Sequence, residues 1–210
     1  MKGSAPEGKT ERTKKYIIER VSPVFNRKGF AGTSLSDMTG ATGLTKGSIY
    51  GNFKNKDEVA LRAFDHRVSR IIGAFSEEMA RQKTYLGKML VYPKVYRLLR
   101  DEIVATGGCP LANTLADADD THGPLCMAAM KVLAEWRKTI RRLIQKGQSA
   151  GEFDPGIDAD ATALTIITLI EGAAVLAKGT GSNEYFTNGI DGVERLILSL
   201  RNNPKKEHRQ

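Results

Sequence analysis

Apolar side chains recur along most of the chain at intervals of three and four residues. This spacing places them on one face of an α-helix. The first such series predicts a helix from about Thr10 to Gly29, with a bend near Pro23 because proline removes one backbone hydrogen bond. Since the sequence contains no strand-like alternation, the predicted fold class is all-α. Further helices are predicted over 57–80, 86–106, 124–150, 158–178 and 184–201.

Two short helices are predicted between the first helix and the next long one. Ser34 and Thr45 each supply a hydroxyl group that can cap a helix N-terminus. The two helical segments cover 34–42 and 46–53, and Gly43 separates them. Two short helices joined by a tight turn that contains glycine are typical of a helix-turn-helix.

The composition is that of an ordinary folded protein. Of the 210 residues, 40% are hydrophobic and 27% are charged, which excludes wholesale disorder. No apolar run in the sequence reaches the ~18 residues that span a bilayer, and the N-terminal segment is not an apolar signal sequence. We therefore expect a soluble, cytoplasmic protein that does not bind a membrane. Cys109 and Cys126 are too few for a disulfide framework.

The positive charge is concentrated near the N-terminus. Residues 1–56 contain eleven Lys or Arg and four Asp or Glu, so they carry +7 of the formal net charge of +8. This asymmetry indicates a polyanionic partner such as nucleic acid. A solvated basic face is the alternative interpretation, and charge alone does not separate the two.

The densest motif lies between Gly29 and Leu61 and reads GFAGTSLSDMTGATGLTKGSIYGNFKNKDEVAL. Its Gly-Phe and Thr-Ser pairs, its Thr-Gly-Leu turn and its Lys-Gly-x-Ile-Tyr-x-x-Phe series resemble the DNA-binding domain of TetR/AcrR-type transcriptional regulators. Pro23, Thr39 and Gly40 depart from the family pattern. The resemblance implies an N-terminal three-helix domain with the helix-turn-helix, followed by a C-terminal helical domain for ligand binding and dimerisation.

The expected domain boundaries follow from the motif and from the helical segments. Residues 1–56 form the DNA-binding domain, in which residues 1–9 are expected to be a flexible arm because they show no periodicity. Residues 57–202 form the effector-binding and dimerisation domain. Residues 203–210 are a basic tail.

The second short helix carries the candidate groups that read DNA bases. A recognition helix brings its first turn close to the base edges, and Gly47 permits that approach. Thr45 and Lys46 supply a hydroxyl group and a cation to base edges or to phosphate, and a lysine near guanine O6 and N7 is a common specific contact. Ile49 and Phe53 lie four residues apart, so we expect both to face the core.

Further candidate contacts come from the resemblance and from a helix N-terminus. The resemblance implies that Tyr50, Asn52 and Lys56 lie along the phosphate backbone. Thr33 and Ser34 precede a helix whose free N–H groups suit a phosphate oxygen. Simple helix capping, or an ordinary exposed lysine, is the structural alternative for these residues. The full set of candidate DNA contacts is Thr33, Ser34, Thr45, Lys46, Gly47, Ser48, Tyr50, Asn52 and Lys56.

An effector pocket is expected among the helices that follow the DNA-binding domain. Ordinary core packing is the alternative for each apolar candidate. Glu171 is a carboxylate within an apolar run, where it faces solvent, pairs across the dimer, or orients a polar or cationic effector. The candidate lining residues are Phe75, Met79, Tyr92, Tyr96, Met127, Met130, Trp136 and Glu171.

The expected partners are a double-stranded DNA operator and a second copy of the chain, because one recognition helix reads only a few base pairs. The segment 158–178 is apolar nearly all round. With the segment 184–200 it is expected to form a four-helix bundle across a two-fold axis, although it could instead be a central core helix. The candidate interface residues are Leu169, Ala173, Phe186, Ile190, Val193 and Ile197.

These observations predict a DNA-binding transcriptional repressor that an unidentified small-molecule effector releases from a palindromic operator. A ligand-free architectural DNA-binding protein is one alternative. A thiol-based redox sensor is another, because Cys109 precedes Pro110 at an expected helix start that would stabilise a thiolate.

No enzymatic activity, metal or cofactor is expected. The sequence contains no recognisable nucleophile motif or catalytic constellation. Its one acid-rich cluster has no diagnostic metal-ligand spacing, so a solvated loop that caps the next helix is favoured over a cation site. The cluster consists of Asp117, Asp119, Asp120 and His122.

Overall fold

The computed structural model describes residues 8–202 and confirms the all-α class. Within these residues the backbone forms nine α-helices and no β-strand. Residues 1–7 of the predicted arm and the predicted basic tail lie outside the described residues, and Lys9 already belongs to the first helix. In chain order the helices are α1 (Lys9–Gly32), α2 (Leu35–Thr42), α3 (Lys46–Tyr50), α4 (Lys56–Ala80), α5 (Tyr85–Ala105), α6 (Pro110–Ala118), α7 (Gly123–Ser149), α8 (Ala159–Thr180) and α9 (Asn183–Ser199).

The helices differ from the predicted ones at three places. The backbone of α1 keeps helical dihedral angles through Pro23 and leaves them at Gly29, whose φ of 70° and ψ of 179° suit glycine. Helix α3 ends at Tyr50 rather than at Phe53. Helix α6 lies outside the predicted helical ranges, although a helix start was expected at Pro110, and Pro110 occupies its first turn, where a missing N–H costs nothing.

The described residues form two compact units. The first contains the chain up to Arg70 together with Ala105–Met130, and the second contains Ile71–Val104 and the chain from Lys131 onward. The packing thus groups the start of α4, α6 and the start of α7 with the N-terminal helices. The predicted division after residue 56 is a functional one and stays a prediction.

In the first unit, α1, α2 and α3 share one small core. Ile17, Val21, Met38 and Ile49 are completely buried there. The Asn26 side chain on α1 donates to Thr106 O and to Gly108 O, each at 2.9 Å, so the segment that precedes α6 is tied to α1.

In the second unit, the turn at 151–153 joins two parts of the bundle. The Glu152 carboxylate accepts hydrogen bonds from the N–H groups of Tyr85 and Leu86, at 3.0 and 2.8 Å, and so caps the start of α5. Phe153 is completely buried beside Gly147, where a Cβ atom would lie 2.1 Å from the phenyl ring. The turn therefore anchors α5 and α7 to one core.

Helices α8 and α9 pack closely along one another within the single chain. A Cβ atom at Gly189 of α9 would lie 2.4 Å from the Cβ atom of Ala173 on α8. By length and composition α8 is apolar enough to cross a membrane, a test that core helices of soluble proteins also pass. Its opposite face still exposes Leu164, Val175 and Leu176.

Candidate nucleic-acid interface

The start of α2 is fixed by a reciprocal pair of hydrogen bonds. The Asp37 N–H donates to Ser34 Oγ at 3.1 Å, and the Ser34 N–H donates to Asp37 Oδ2 at 2.8 Å. This capping box satisfies two backbone donors that would otherwise be free, and it confirms the predicted cap at Ser34. Lys28 Nζ lies 2.6 Å from Asp37 Oδ1, and its hydrogen bond is the main cause of a pKa of Asp37 well below the ordinary value.

The turn between α2 and α3 is held from two sides. Gly43 ends α2 in the left-handed conformation, with a φ of 69°, and its N–H donates to Thr39 O at 2.8 Å. The Tyr16 hydroxyl group of α1 donates to Thr42 O at 2.9 Å. These bonds fix the direction in which α3 leaves α2.

Helix α3 is buried on one face and polar at its free end. Thr45 Oγ1 accepts a hydrogen bond from the Ser48 N–H at 3.2 Å, so the predicted cap at Thr45 is confirmed. Ile49 and Phe53 are buried, which confirms that both face the core. Thr45, Lys46 and Gly47 are exposed. The groups predicted to meet base edges are therefore accessible.

The three residues predicted to follow the phosphate backbone are all half-buried. The Asn52 side-chain amide donates to Ser48 O at 2.8 Å and closes the C-terminal end of α3. Lys56 Nζ lies 4.3 Å from the centre of the Phe30 ring, a cation–π contact that leaves the ammonium group at the start of α4. Tyr50 is on the last turn of α3.

Thr33 is not an accessible hydroxyl group. It is completely buried, and its Oγ1 donates to Gly29 O at 2.7 Å. The prediction that its side chain contacts a phosphate is therefore wrong, because this hydroxyl closes the last turn of α1. The adjacent Ser34 remains exposed.

Two family models match the chain. Residues 17–63 match the model described as bacterial regulatory proteins, tetR family. Residues 88–193 match the model described as tetracyclin repressor-like, C-terminal domain. The chain belongs to the TetR family. As a member of that family it is a DNA-binding transcriptional regulator, and the family is one of regulators rather than enzymes.

Similar structures and a similar curated protein agree with this assignment. A TetR-family regulator from Cytophaga hutchinsonii is 40% identical, has a TM-score of 0.87, and is aligned over 95% of this chain and 100% of its own. A TetR regulator from Chloroflexus aurantiacus is 34% identical, with a TM-score of 0.85 and coverage of 92% and 98%. The HTH-type transcriptional repressor DhaR of Mycobacterium sp. is 21% identical over 92% of this chain and 96% of its own.

Three residues that shape the candidate DNA-binding surface of this TetR-family regulator are absent from the predicted set of DNA contacts. Tyr16 holds the turn before α3, and the Phe30 ring lies under Lys56. The His122 ring packs on Phe30 with 4.0 Å between ring centres. The Gly-Phe pair of the motif pointed to Phe30, whereas nothing in the sequence brings residue 122 to the start of α4.

In the second unit of the regulator, four predicted pocket residues form an aromatic cluster. Phe75 lies 5.0 Å from Tyr92 and 5.7 Å from Tyr96, and Tyr96 lies 6.2 Å from Trp136, measured between ring centres. Burial raises the pKa of Tyr92 above its ordinary value. The name aromatic cluster is kept for Phe75, Tyr92, Tyr96 and Trp136.

The remaining pocket candidates divide into two groups. Met79 packs against the core of the second unit, and Glu171 is half-buried with one carboxylate oxygen that solvent does not reach. Met127 and Met130 are 66% and 58% exposed. The prediction that these two methionines line an interior pocket is wrong, because they lie on the outer face of α7.

The predicted dimer contacts are also corrected. Leu169 is half-buried against the core, and the other five residues are buried within the single chain, so they have no surface left for a partner. The apolar stripe of α9 is buried by packing on α8 of the same chain. The corrected residues are Ala173, Phe186, Ile190, Val193 and Ile197.

The cysteine considered as a redox sensor and two members of the acid-rich cluster considered as a cation site lie in packed parts of the first unit. Cys109 is a buried thiol at the start of α6, whereas a redox sensor requires an accessible thiolate. Asp117 Oδ2 accepts a hydrogen bond from the Phe30 N–H at 2.7 Å. His122 Nε2 lies 3.2 Å from Asp57 Oδ1. Two members of the acid-rich cluster thus bind elements of the first unit.

Proposed function

We propose that this TetR-family regulator is a repressor that binds a palindromic DNA operator as a homodimer through the first turn of α3. The observation that carries the proposal is the exposure of Thr45, Lys46 and Gly47 beside the buried side chains of Ile49 and Phe53. A helix anchored on one face and polar at its free first turn can enter the major groove without disturbing the core. The likeness to DhaR, which is named as a repressor, supports this direction of regulation.

The contacts divide into base reading and phosphate binding. Lys46 donates to guanine O6 and N7, and Gly47 lets the backbone approach the base edges. Lys56 neutralises a phosphate, which strengthens binding to every sequence and makes it more sensitive to salt. Further phosphate contacts are made by the hydroxyl and amide groups of Ser34, Thr45, Ser48, Tyr50 and Asn52.

The second copy of the chain covers the exposed face of α8. Leu164 and Val175 lie about three helical turns apart, hence on the same stripe, and Leu176 adds to it. A helix that keeps such side chains in water is typical of an interface between subunits. A two-fold axis through this face gives two recognition helices, whose half-sites lie about 34–36 Å apart or at multiples of that distance.

A small-molecule effector acts on the second unit. The aromatic cluster supplies flat apolar surfaces, and Glu171 supplies a carboxylate that can orient a polar or cationic group. The effector lowers the affinity for DNA, and DNA lowers the affinity for the effector by the same factor, because the coupling of the two sites is reciprocal. This regulation takes place in the cytoplasm, where the operator is.

Selection of duplexes from a random pool tests the DNA-binding part of the proposal. The full-length protein is expected to enrich a palindrome, and the enriched duplex then serves as the operator in later measurements. Sedimentation velocity of free protein and of the complex is expected to give a dimer. Enrichment of a single, non-repeated half-site by a monomer would contradict the proposal.

A variant of α8 tests the position of the dimer contact. Leu176→Asp places a charge on the exposed face of α8 and is expected to give a folded monomer with weak operator binding. Lys131→Ala on α7, which is also exposed, is the matched surface control and is expected to remain dimeric. A dimeric Leu176→Asp protein would rule out this face as the interface.

A further inference from the structure

Four side chains from three segments of the first unit meet at the start of α4. Lys56 Nζ lies 4.3 Å from the centre of the Phe30 ring, and that ring centre lies 4.0 Å from the centre of the His122 ring. His122 Nε2 lies 3.2 Å from Asp57 Oδ1. We call Lys56, Phe30, His122 and Asp57 the α4 stack.

The bonds of His122 define which of its ring nitrogens carries the proton. His122 Nδ1 accepts a hydrogen bond from the Leu125 N–H at 3.1 Å, so Nδ1 is the unprotonated nitrogen of the neutral ring. The proton is then on Nε2, which donates to the Asp57 carboxylate. His122 therefore caps the N-terminus of α7 with one nitrogen and binds α4 with the other.

The backbone at Phe30 is held in place by α6. The Phe30 backbone N–H donates to Asp117 Oδ2 at 2.7 Å, and the preceding Gly29 has a φ of 70°. A Cβ atom at Gly29 would lie only 2.0 Å from Asp117 Oδ1, so the backbone approaches α6 as closely as a glycine allows. The backbone that carries Phe30 is thus fixed, and its ring is the platform on which the lysine ammonium group and the imidazole ring both pack.

Asp57 is the nearest carboxylate in sequence to Lys56, and it does not pair with it. Within residues 8–202 the Asp57 carboxylate is bound to His122, and Lys56 has no ion-pair partner. An aspartate that was free to move could pair with the adjacent lysine and compete with a DNA phosphate for its charge. The bond to His122 prevents this competition.

We propose that His122 is a positioning residue for the phosphate contact of Lys56, although it does not itself touch DNA. The proposal rests on the proposed DNA-binding function of Lys56. His122 acts in two ways: its ring packs on the Phe30 platform, and its Nε2–H holds Asp57 away from the lysine. The segment between α6 and α7 is therefore a functional part of the DNA-binding unit.

The test uses His122→Asn in the full-length protein. Asparagine is a good helix N-cap, so this variant can retain the cap of α7 while it removes the ring and the bond to Asp57. We expect about three- to tenfold weaker binding to the operator enriched from the random pool, with the slope of log affinity against log salt reduced by up to about one. His66→Asn on α4, outside the α4 stack, is the control and is expected to bind as the wild type does.

Double variants separate a positioning role from a merely structural one. If His122 acts through Lys56, then His122→Asn adds no further loss to Lys56→Ala. If it acts by restraining Asp57, then Asp57→Asn removes most of the effect of His122→Asn. Additive losses in both double variants would overturn the proposal, because an independent structural effect produces them.

The outcomes distinguish this inference from the proposed function. Lys56→Ala with unchanged affinity and salt slope would overturn both the proposed role of Lys56 and the role of His122. Weakened binding by Lys56→Ala together with unchanged binding by His122→Asn would overturn the positioning role alone. If His122→Asn does not fold, Phe30→Leu tests the same stack. This variant is expected to show the same reduction in the slope of log affinity against log salt.

Discussion

The two units of the molecule carry their candidate functional residues in opposite ways. In the first unit Thr45, Lys46 and Gly47 are exposed, and the core beneath them is made of other side chains. In the second unit the aromatic cluster is part of the hydrophobic core, and Tyr92 is only 2% exposed. Binding and stability can therefore be changed separately in the first unit, whereas a ligand site built from the aromatic cluster also supports the fold.

The largest expected effect is on the stability of the second unit. Tyr92→Ala removes a buried ring and is expected to lower the free energy of unfolding by about 3–5 kcal/mol. Lys46→Ala is expected to change it by less than about 0.5 kcal/mol, because the side chain is exposed. Chemical denaturation measures both. Tyr92→Phe keeps the ring and is the control for packing. A loss below about 1 kcal/mol for Tyr92→Ala would remove the contrast between the units.

Replacement of a glycine in the first unit is expected to lower the free energy of unfolding almost as much. Gly29→Ala is expected to destabilise the protein by about 2–4 kcal/mol, because its backbone conformation disfavours a side chain and a Cβ atom would clash with Asp117. Gly40→Ala in α2 is the matched control. No atom lies within 4 Å of its Cβ position, so the higher helix propensity of alanine is expected to stabilise it by up to about 1 kcal/mol. Equal effects of the two variants would contradict this account of Gly29.

A smaller effect is expected at the capping box of α2. Ser34→Ala removes the acceptor for the Asp37 N–H and is expected to cost about 1 kcal/mol. Ser36→Ala, also exposed and on the same helix, is the control and is expected to be neutral or slightly stabilising. The two unfolding curves compare them directly. A cost at Ser36 as large as that at Ser34 would argue against the cap.

The smallest expected effect is a dependence of stability on acid. The hydrogen bond from Lys28 is the main cause that lowers the pKa of Asp37, so the folded protein holds this carboxylate ionised more readily than the unfolded chain does. Its stabilising effect is complete above the unfolded pKa of about 4 and is lost as the pH falls toward the folded value. Asp37→Asn should therefore lose this part of the acid dependence. Curves of unfolding free energy against pH that run parallel for the wild type and Asp37→Asn between about pH 5 and pH 2 would contradict this role of Asp37.

The sequence predicted the first unit better than the second for a physical reason. The hydroxyl caps at Ser34 and Thr45 and the inward face of Ile49 and Phe53 depend on neighbours a few residues away, so local pattern is sufficient. Thr33 lies one position before the cap of α2, and it is buried because the last turn of α1 continues up to it.

The wrong predictions for the dimer contacts and for Met127 concern side chains whose surroundings depend on segments far away in the sequence. A stripe of apolar residues shows that a helix face is buried but not what buries it. For this reason the spacing of Phe186 and Ile190 fits a dimer seam as well as it fits their observed packing within the single chain. The exposure of Met127 and the approach of His122 to Asp57 depend on contacts between distant segments, and no spacing within the sequence encodes those contacts.

Lys46→Ala tests whether the exposed first turn of α3 reads DNA bases. The measured quantity is the ratio of affinities for the enriched operator and for a scrambled duplex of the same composition, at one fixed salt concentration. If Lys46 reads a base, the ratio falls about tenfold while affinity for the scrambled duplex changes little. An unchanged ratio, with both affinities reduced alike, would show that Lys46 contacts only the backbone and would contradict base reading by this turn.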